Sequence, residues 1–422
     1  AREIYTEFLI PVATGIELGG HRVMDELNLE AGYRYSDMEP SGSINTWKIL
    51  FDWKINDFAR LRGGKQVANR APNIAELYQS PTQGFGFSFI GDLCSENNTH
   101  VNSAAPANPN GASVRAMCET LMGPTGSMVY YDPQRDQPTG PGFGFAFANT
   151  IGNANLENES ADTVTFGGVF NLTDRTTLTV DWYQIDIQNM IALQAADSVF
   201  LRCFDPAVNT GMSLDFYECQ KIARDPSNGS QAPIDITYSN QAQAKVSGVD
   251  VQLNWGTDFW NGGLNVNFMA SFTDEVETRQ TPTSAPTDWK GTSGIDVSGM
   301  NGGWYDYRTF TTFTYFDNAG WNASLTWRFL PPISSGAAAT GETTVQDTRN
   351  YSVFDFSTGY RFGEDDRYQV SLNINNLLNE PPEFTGKDYA DGTSRTTGLG
   401  TTSSGFYDVI GRQYSLRLNI DF

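Results

Sequence analysis

The stretch Tyr407-Asp-Val-Ile-Gly-Arg-Gln-Tyr-Ser-Leu-Arg-Leu-Asn-Ile-Asp-Phe422 decides how the rest of the chain is read. Tyr414, Leu416, Leu418, Ile420 and Phe422 share one face of a period-two strand, and Gln413, Ser415, Arg417, Asn419 and Asp421 share the other. A soluble sandwich strand alternates in the same way. Ending on the outermost aromatic with no polar tail fits better where one face meets lipid and the other a polar lumen, the aromatic lying at the interfacial girdle.

Upstream segments repeat the pattern. Trp47, Ile49, Phe51 and Trp53 oppose Lys48, Leu50, Asp52 and Lys54; Val249, Val251, Leu253 and Trp255 oppose Asp250, Gln252 and Asn254. Phe354, Phe356, Tyr360 and Phe362 oppose Asp355, Ser357 and Arg361. Arg328, Arg361, Arg417, Asp52, Asp250 and Asp355 all fall on polar faces. A lipid-facing Arg or Lys at mid-bilayer costs about 2–4 kcal/mol, so such placement is what a membrane barrel requires. Beyond Trp182 the apolar parity moves to Tyr183, Ile185 and Ile187, which predicts a bulge or an exit from the membrane there.

Composition agrees with this. The 422 residues are 39% hydrophobic and 13% aromatic, with 41 Gly, and no run of about 18 apolar residues offers a membrane helix. Transmembrane strands escape that test, because only every second residue need be apolar. A net charge of −22 argues against nucleic acid as a partner. The acidic residues of the loops are expected to solvate the surface or to attract cationic ligands. Cys94 with Cys118 and Cys203 with Cys219 form two local couples in polar segments, read as loop-stapling disulfides of an oxidising compartment. Neither zinc spacing nor a His cluster is present, so no metal or cofactor site is expected. The first residues show no charged-then-apolar leader, so any secretory signal is expected to be removed or to lie elsewhere.

Short turns are expected to alternate strictly with long loops, as periplasmic turns and extracellular loops do. The long ones are placed near 71–157, 195–234, 279–304, 331–350 and 380–405, and 71–157 shows no regular periodicity. The fold class is therefore an all-β, antiparallel transmembrane barrel of about thirteen strands. Bacterial single-chain barrels have even strand numbers, so the chain is expected to be the C-terminal portion of a larger barrel.

Several segments resemble TonB-dependent outer-membrane receptors. The most specific is Arg70-Ala-Pro-Asn-Ile-Ala-Glu-Leu-Tyr78, followed by Asn155-Leu-Glu-Asn-Glu-Ser-Ala-Asp-Thr163, where the family usually has Pro at the position of Asn158. Val180 to Ile185, Ser247 to Asp250, Asn373 to Asn379 and Ile410 to Phe422 are similar too, in the family's order. The resemblance implies a bacterial outer-membrane barrel of about 22 strands with a plugged lumen, importing a scarce nutrient through the TonB complex. It implies a plug domain and remaining strands on another segment or chain, contact with lipid and lipopolysaccharide, and barrel-assembly machinery reading Tyr414, Leu416, Leu418, Ile420 and Phe422.

The near-repeats Gly84-Phe-Gly-Phe-Ser-Phe89 and Gly142-Phe-Gly-Phe-Ala-Phe147 make Phe85, Phe87, Phe89, Phe143, Phe145 and Phe147 ligand-contact candidates. Alternatively those rings pack the loop on itself or pair as a hairpin above the membrane. An Arg70–Glu76 contact is expected in the barrel wall, and His100 is expected to be a bystander. His21 and His100 fall at opposite ends of the barrel and cannot cooperate, so catalysis is not expected. A passive porin-like channel, or a barrel scaffold for a surface assembly, is the alternative to energised import. Acidic, aromatic-bearing loops favour neutral glycans over anionic ferric siderophores.

Overall fold

The computed structural model describes residues 2–19, 21–39, 41–88, 90–138, 144–194, 196–279, 285–293, 303–334, 336–340, 347–383 and 406–420. Four strands come first: β1 (Arg2–Leu18), β2 (His21–Met38), β3 (Gly42–Lys54) and β4 (Ala59–Arg70). The next connection holds α1 (Ile74–Tyr78), β5 (Thr82–Ser88), α2 (Gly111–Tyr130) and β6 (Gly144–Ile151). β7 (Glu159–Thr173) and β8 (Thr176–Leu193) lead to α3 (Ala196–Phe204) and β9 (Ile234–Phe259). β10 (Gly262–Arg279), β11 (Thr287–Asp288), β12 (Tyr307–Asp317) and β13 (Trp321–Leu330) follow. β14 (Tyr351–Phe362), β15 (Tyr368–Asn375) and β16 (Gln413–Ile420) complete the described chain.

Thirteen of these strands form one continuous antiparallel path, β1-β2-β3-β4-β7-β8-β9-β10-β12-β13-β14-β15-β16. That matches the number read from alternation. Register places Tyr414, Leu416, Leu418 and Ile420 opposite Ile374, Leu372, Val370 and Tyr368, so both strands share one apolar face. Tyr414 is 65% exposed, Leu416 76% and Leu418 59%, and Ile4, Phe8, Ile49 and Phe166 are also more than half exposed. Among the described residues no second β-layer covers this face, which rules out a sandwich and leaves hydrocarbon as its solvent. Phe422 lies outside the described residues.

Two belts of rings bound the apolar face. Near the short turns Trp321 meets Tyr360 at 4.6 Å, Tyr360 meets Phe362 at 5.9 Å and Phe362 meets Tyr368 at 5.3 Å between ring centroids. Toward the long connections Phe272, Tyr307, Phe329, Trp327 and Phe354 form a continuous ladder with centroids 5.8–6.1 Å apart. Trp321 and Phe329 are eight residues apart on β13. With a rise of about 3.3 Å per residue and a tilt of about 45°, the belts stand roughly 20 Å apart. That separation is close to the lipid-facing band of an outer-membrane barrel.

Three expectations need correction or narrowing. The connection between β2 and β3 is only residues 39–41, so the alternation of short and long is not strict. There is no bulge at Trp182, because β7 and β8 stay in register from Ser160↔Gln188 to Asn171↔Thr177. Tyr183 lies on the inner face with Asp181, and the outer face turns polar at Gln184 and Asp186, so the exit reading is the correct one. The irregularity comes later, between Ile187 and Ile191, where Asn189 adopts φ 53°. Lastly, 71–157 is not structureless: Val114, Met117, Cys118 and Met122 have helical spacing and are buried on α2. Gly123 (φ 71°) and Pro124 break that helix in two and mask the period.

Candidate functional site: the inner wall and the outer cap

The polar face of the sheet is a wall of paired charges. Arg60 grips Asp52 at 2.6 Å, Arg62 grips Asp181 at 2.7 Å, and Arg328 reaches Asp355 at 3.0 Å. Lys48 lies between Glu7 and Glu30. All of these groups are at inward positions: Arg60–Asp52, Arg328–Asp355 and Lys48–Glu30 join neighbouring strands, whereas Arg62–Asp181 reaches across β7 and Lys48–Glu7 across β2. Gly167 makes room for one of them: a Cβ there would lie 2.1 Å from Asp181 Oδ1. Between these pairs a hollow of ≈ 630 Å³ is lined by Arg62, Asp181, Tyr183, Asp250, Arg308 and Arg328, with Met269 and Phe310 as its apolar floor. Tyr183 lies within the Val180 to Ile185 segment that resembles the family, whereas Arg308 carried no motif and only strand parity could have marked it.

At the top of the wall Arg70 donates to Glu159 at 2.6 Å and to Glu76 at 3.0 Å. Glu76 also closes a capping box with Asn73 at the start of α1. The expected Arg70–Glu76 contact is therefore present, with Glu159 as a third member. Asn158, where the resembling family usually has Pro, donates from its side chain to the Ser41 carbonyl at 2.9 Å.

Above β4, β7, β8 and β9 the two longest connections build a cap. Both disulfides form, Cys94–Cys118 and Cys203–Cys219, and all four cysteines are buried. The near-repeats pair as the antiparallel hairpin β5–β6, placing Phe85 opposite Phe147 and Phe87 opposite Phe145. Phe147 is 43% exposed; Phe89 and Phe143 lie outside the described residues. β6 then adds in parallel to the first residues of β9, Ala148↔Ile234 to Ile151↔Thr237. One 26-residue strand thus runs from membrane to cap. His100 is structural: its Nδ1 accepts from the Asn102 N–H at 3.1 Å, and burial holds its pKa below the ordinary value. His21 begins β2, next to the short turn that precedes it.

Inside the cap, Arg224 donates to Asp92 Oδ2 at 2.8 Å and Tyr130 Oη donates to the same oxygen at 2.7 Å. Burial pushes the Asp92 carboxyl up, but the facing guanidinium, with the hydrogen bonds it receives, holds it below the usual carboxylate range.

The family model described as "TonB dependent receptor-like, beta-barrel" matches residues 16–377. The chain belongs to the TonB-dependent receptor β-barrel family. It is accordingly a protein of the bacterial outer membrane, with the short turns on the periplasmic side and the cap outside. Solved structures share the fold. The siderophore receptor PirA from Acinetobacter baumannii is 14% identical with a TM-score of 0.52, matching 94% of this chain and 43% of its own. The ferric enterobactin receptor PfeA from Pseudomonas aeruginosa, in a mutant form with enterobactin bound, is 11% identical with a TM-score of 0.58, matching 100% and 45%. The outer membrane transporter YddB from Escherichia coli is 10% identical with a TM-score of 0.53, matching 95% and 43%. The chain thus spans less than half the length of these structural neighbours.

Replacing Cys203 and Cys219 together by serine frees a closure of 16 residues. A loop of that size contributes about 3 kcal/mol, so protease cleavage within 195–234 should become at least tenfold faster while the barrel stays intact.

Proposed function

We propose that this chain is the barrel portion of an energised nutrient importer, whose charged inner wall surrounds a plug and whose outer cap meets substrate. The observation that carries the reading is the thirteen-strand antiparallel sheet with a lipid face and an ion-paired bore face. Its edges support a larger ring. β1 and β16 both run from the long connections to the short turns, and each pairs on one side only among the described residues. They are parallel, so an antiparallel ring takes an odd number of further strands between them, and nine would give 22. In this reading TonB acts through a plug outside these residues, lipopolysaccharide abuts the outer belt, and assembly machinery reads Tyr414, Leu416, Leu418 and Ile420.

For substrate we propose an uncharged compound, such as an oligosaccharide or a neutral ferric chelate. The connections on the outer side, from 71–158 to 376–412, carry 22 acidic and 10 basic residues. Several of the bases are already engaged: Arg115 by Glu96 and Glu119, Arg202 by Glu218, Arg224 by Asp92 and Arg349 by Glu383. A polyanionic chelate would meet net repulsion here. The hairpin phenylalanines, Phe85, Phe87, Phe145 and Phe147 with Phe89 and Phe143, are the proposed contacts for a flat or sugar-like ligand.

Cells carrying the full-length receptor should accumulate a radiolabelled neutral oligosaccharide or ferric hydroxamate, and lose that accumulation when TonB is deleted. Accumulation that persists without TonB would instead mean a passive channel. Uptake confined to an anionic ferric catecholate would contradict the charge argument.

A further inference from the structure

The two longest outer connections each carry a disulfide, yet their apolar side chains share one core. Val114 and Met122 from 71–158 and Val199 and Phe204 from 194–233 are fully buried in the same cluster. The polar seam also crosses between segments, since Asp92 and Tyr130 belong to the first and Arg224 to the second. Backbones interlock there as well. A Cβ on Gly229 would lie 2.6 Å from Tyr130 Cβ, and one on Gly126 would lie 3.2 Å from the Gly229 nitrogen. Arg135 adds a hydrogen bond of 2.8 Å to the Asn228 carbonyl.

We propose that these two connections are a single outer domain that opens, closes and unfolds as one body, not two flaps gating independently. Close packing explains why: interdigitated cores have discrete arrangements and do not shear continuously, so neither segment can lift away without exposing the other's core. The disulfides lie within each segment and cannot produce this coupling. Arg224 and the shared core produce it. Movement is then confined to the places where the domain joins the wall. Those are the base around Gly152, whose N–H donates to the Gln79 carbonyl at 2.9 Å, and the strand continuity of β8 and β9. The inference does not depend on the import reading, because the coupling is a property of the cap whatever passes beneath it.

Hydrogen–deuterium exchange on the full-length receptor with Arg224→Met tests it. The substitution lies in the second segment, and exchange should rise about tenfold or more across α2 in the first segment as well as across 195–234. A rise confined to 195–234, or no rise at all, overturns the proposal. If Arg224→Met does not assemble, Cys203→Ser with Cys219→Ser is scored by the same rule. Spin labels at Met128→Cys and Tyr217→Cys, one exposed site on each segment, give a second reading. One narrow distance distribution is expected; a broad or many-peaked one overturns the single-body proposal.

Discussion

Val251→Arg should sharply reduce the folded receptor recovered from outer membranes, while Gln252→Arg one residue away should leave it near wild-type. Val251 faces Val180 on one neighbouring strand and Ala270 on the other, midway along the lipid face between Trp255 and Val249. An Arg at that depth costs about 2–4 kcal/mol. Gln252 is on the opposite face and lines the polar inner hollow, where an Arg side chain can stay hydrated. Urea unfolding of purified receptor in lipid, with heat-modifiable mobility as the readout, separates the two. Equal losses would mean that the faces do not divide hydrocarbon from water.

The second large effect is expected in the cap. Asp92→Asn leaves Arg224 almost wholly buried without its carboxylate, and breaking a buried pair from one side costs about 3–5 kcal/mol. Asp92→Leu combined with Arg224→Met should recover most of that loss, because it removes both desolvated charges. Exchange of α2 amides measures both. The pH dependence follows from the lowered pKa of Asp92. A depressed carboxyl contributes stability that is fully present above its unfolded value of about 3.9 and is lost as pH falls through the folded value. The cap should therefore hold through mildly acidic conditions and open only below the usual carboxylate range, and Asp92→Asn should abolish that acid step. A double substitution as unstable as the single one would show that the pair matters for shape and not for charge.

How much of this was legible in the sequence depends on the range of the interaction. Faces were legible, since the penalty for a lipid-facing charge leaves a period-two mark on each strand, and Asp52, Asp250 and Asp355 all lie inward as their parity requires. Cysteine couples 24 and 16 residues apart were legible because their partners are local. The cap's fold was not. Its decisive pair joins Asp92 to Arg224 across 132 residues, and no window of sequence contains both. The helix α2 was hidden by its own Gly123-Pro124 break. At Tyr183 the parity change left a bulge and an exit from the membrane equally open, because a strand leaving the membrane exchanges its apolar and polar faces without changing register.

The most direct test places a fluorophore, one cysteine at a time, from Val249 to Trp255 on β9 in receptor reconstituted in lipid. Positions 249, 251, 253 and 255 should be quenched by nitroxides on lipid chains, and positions 250, 252 and 254 should be spared. Shielding of Val251 and Leu253 from both lipid-borne and aqueous quenchers would place that face against protein, and would contradict the account.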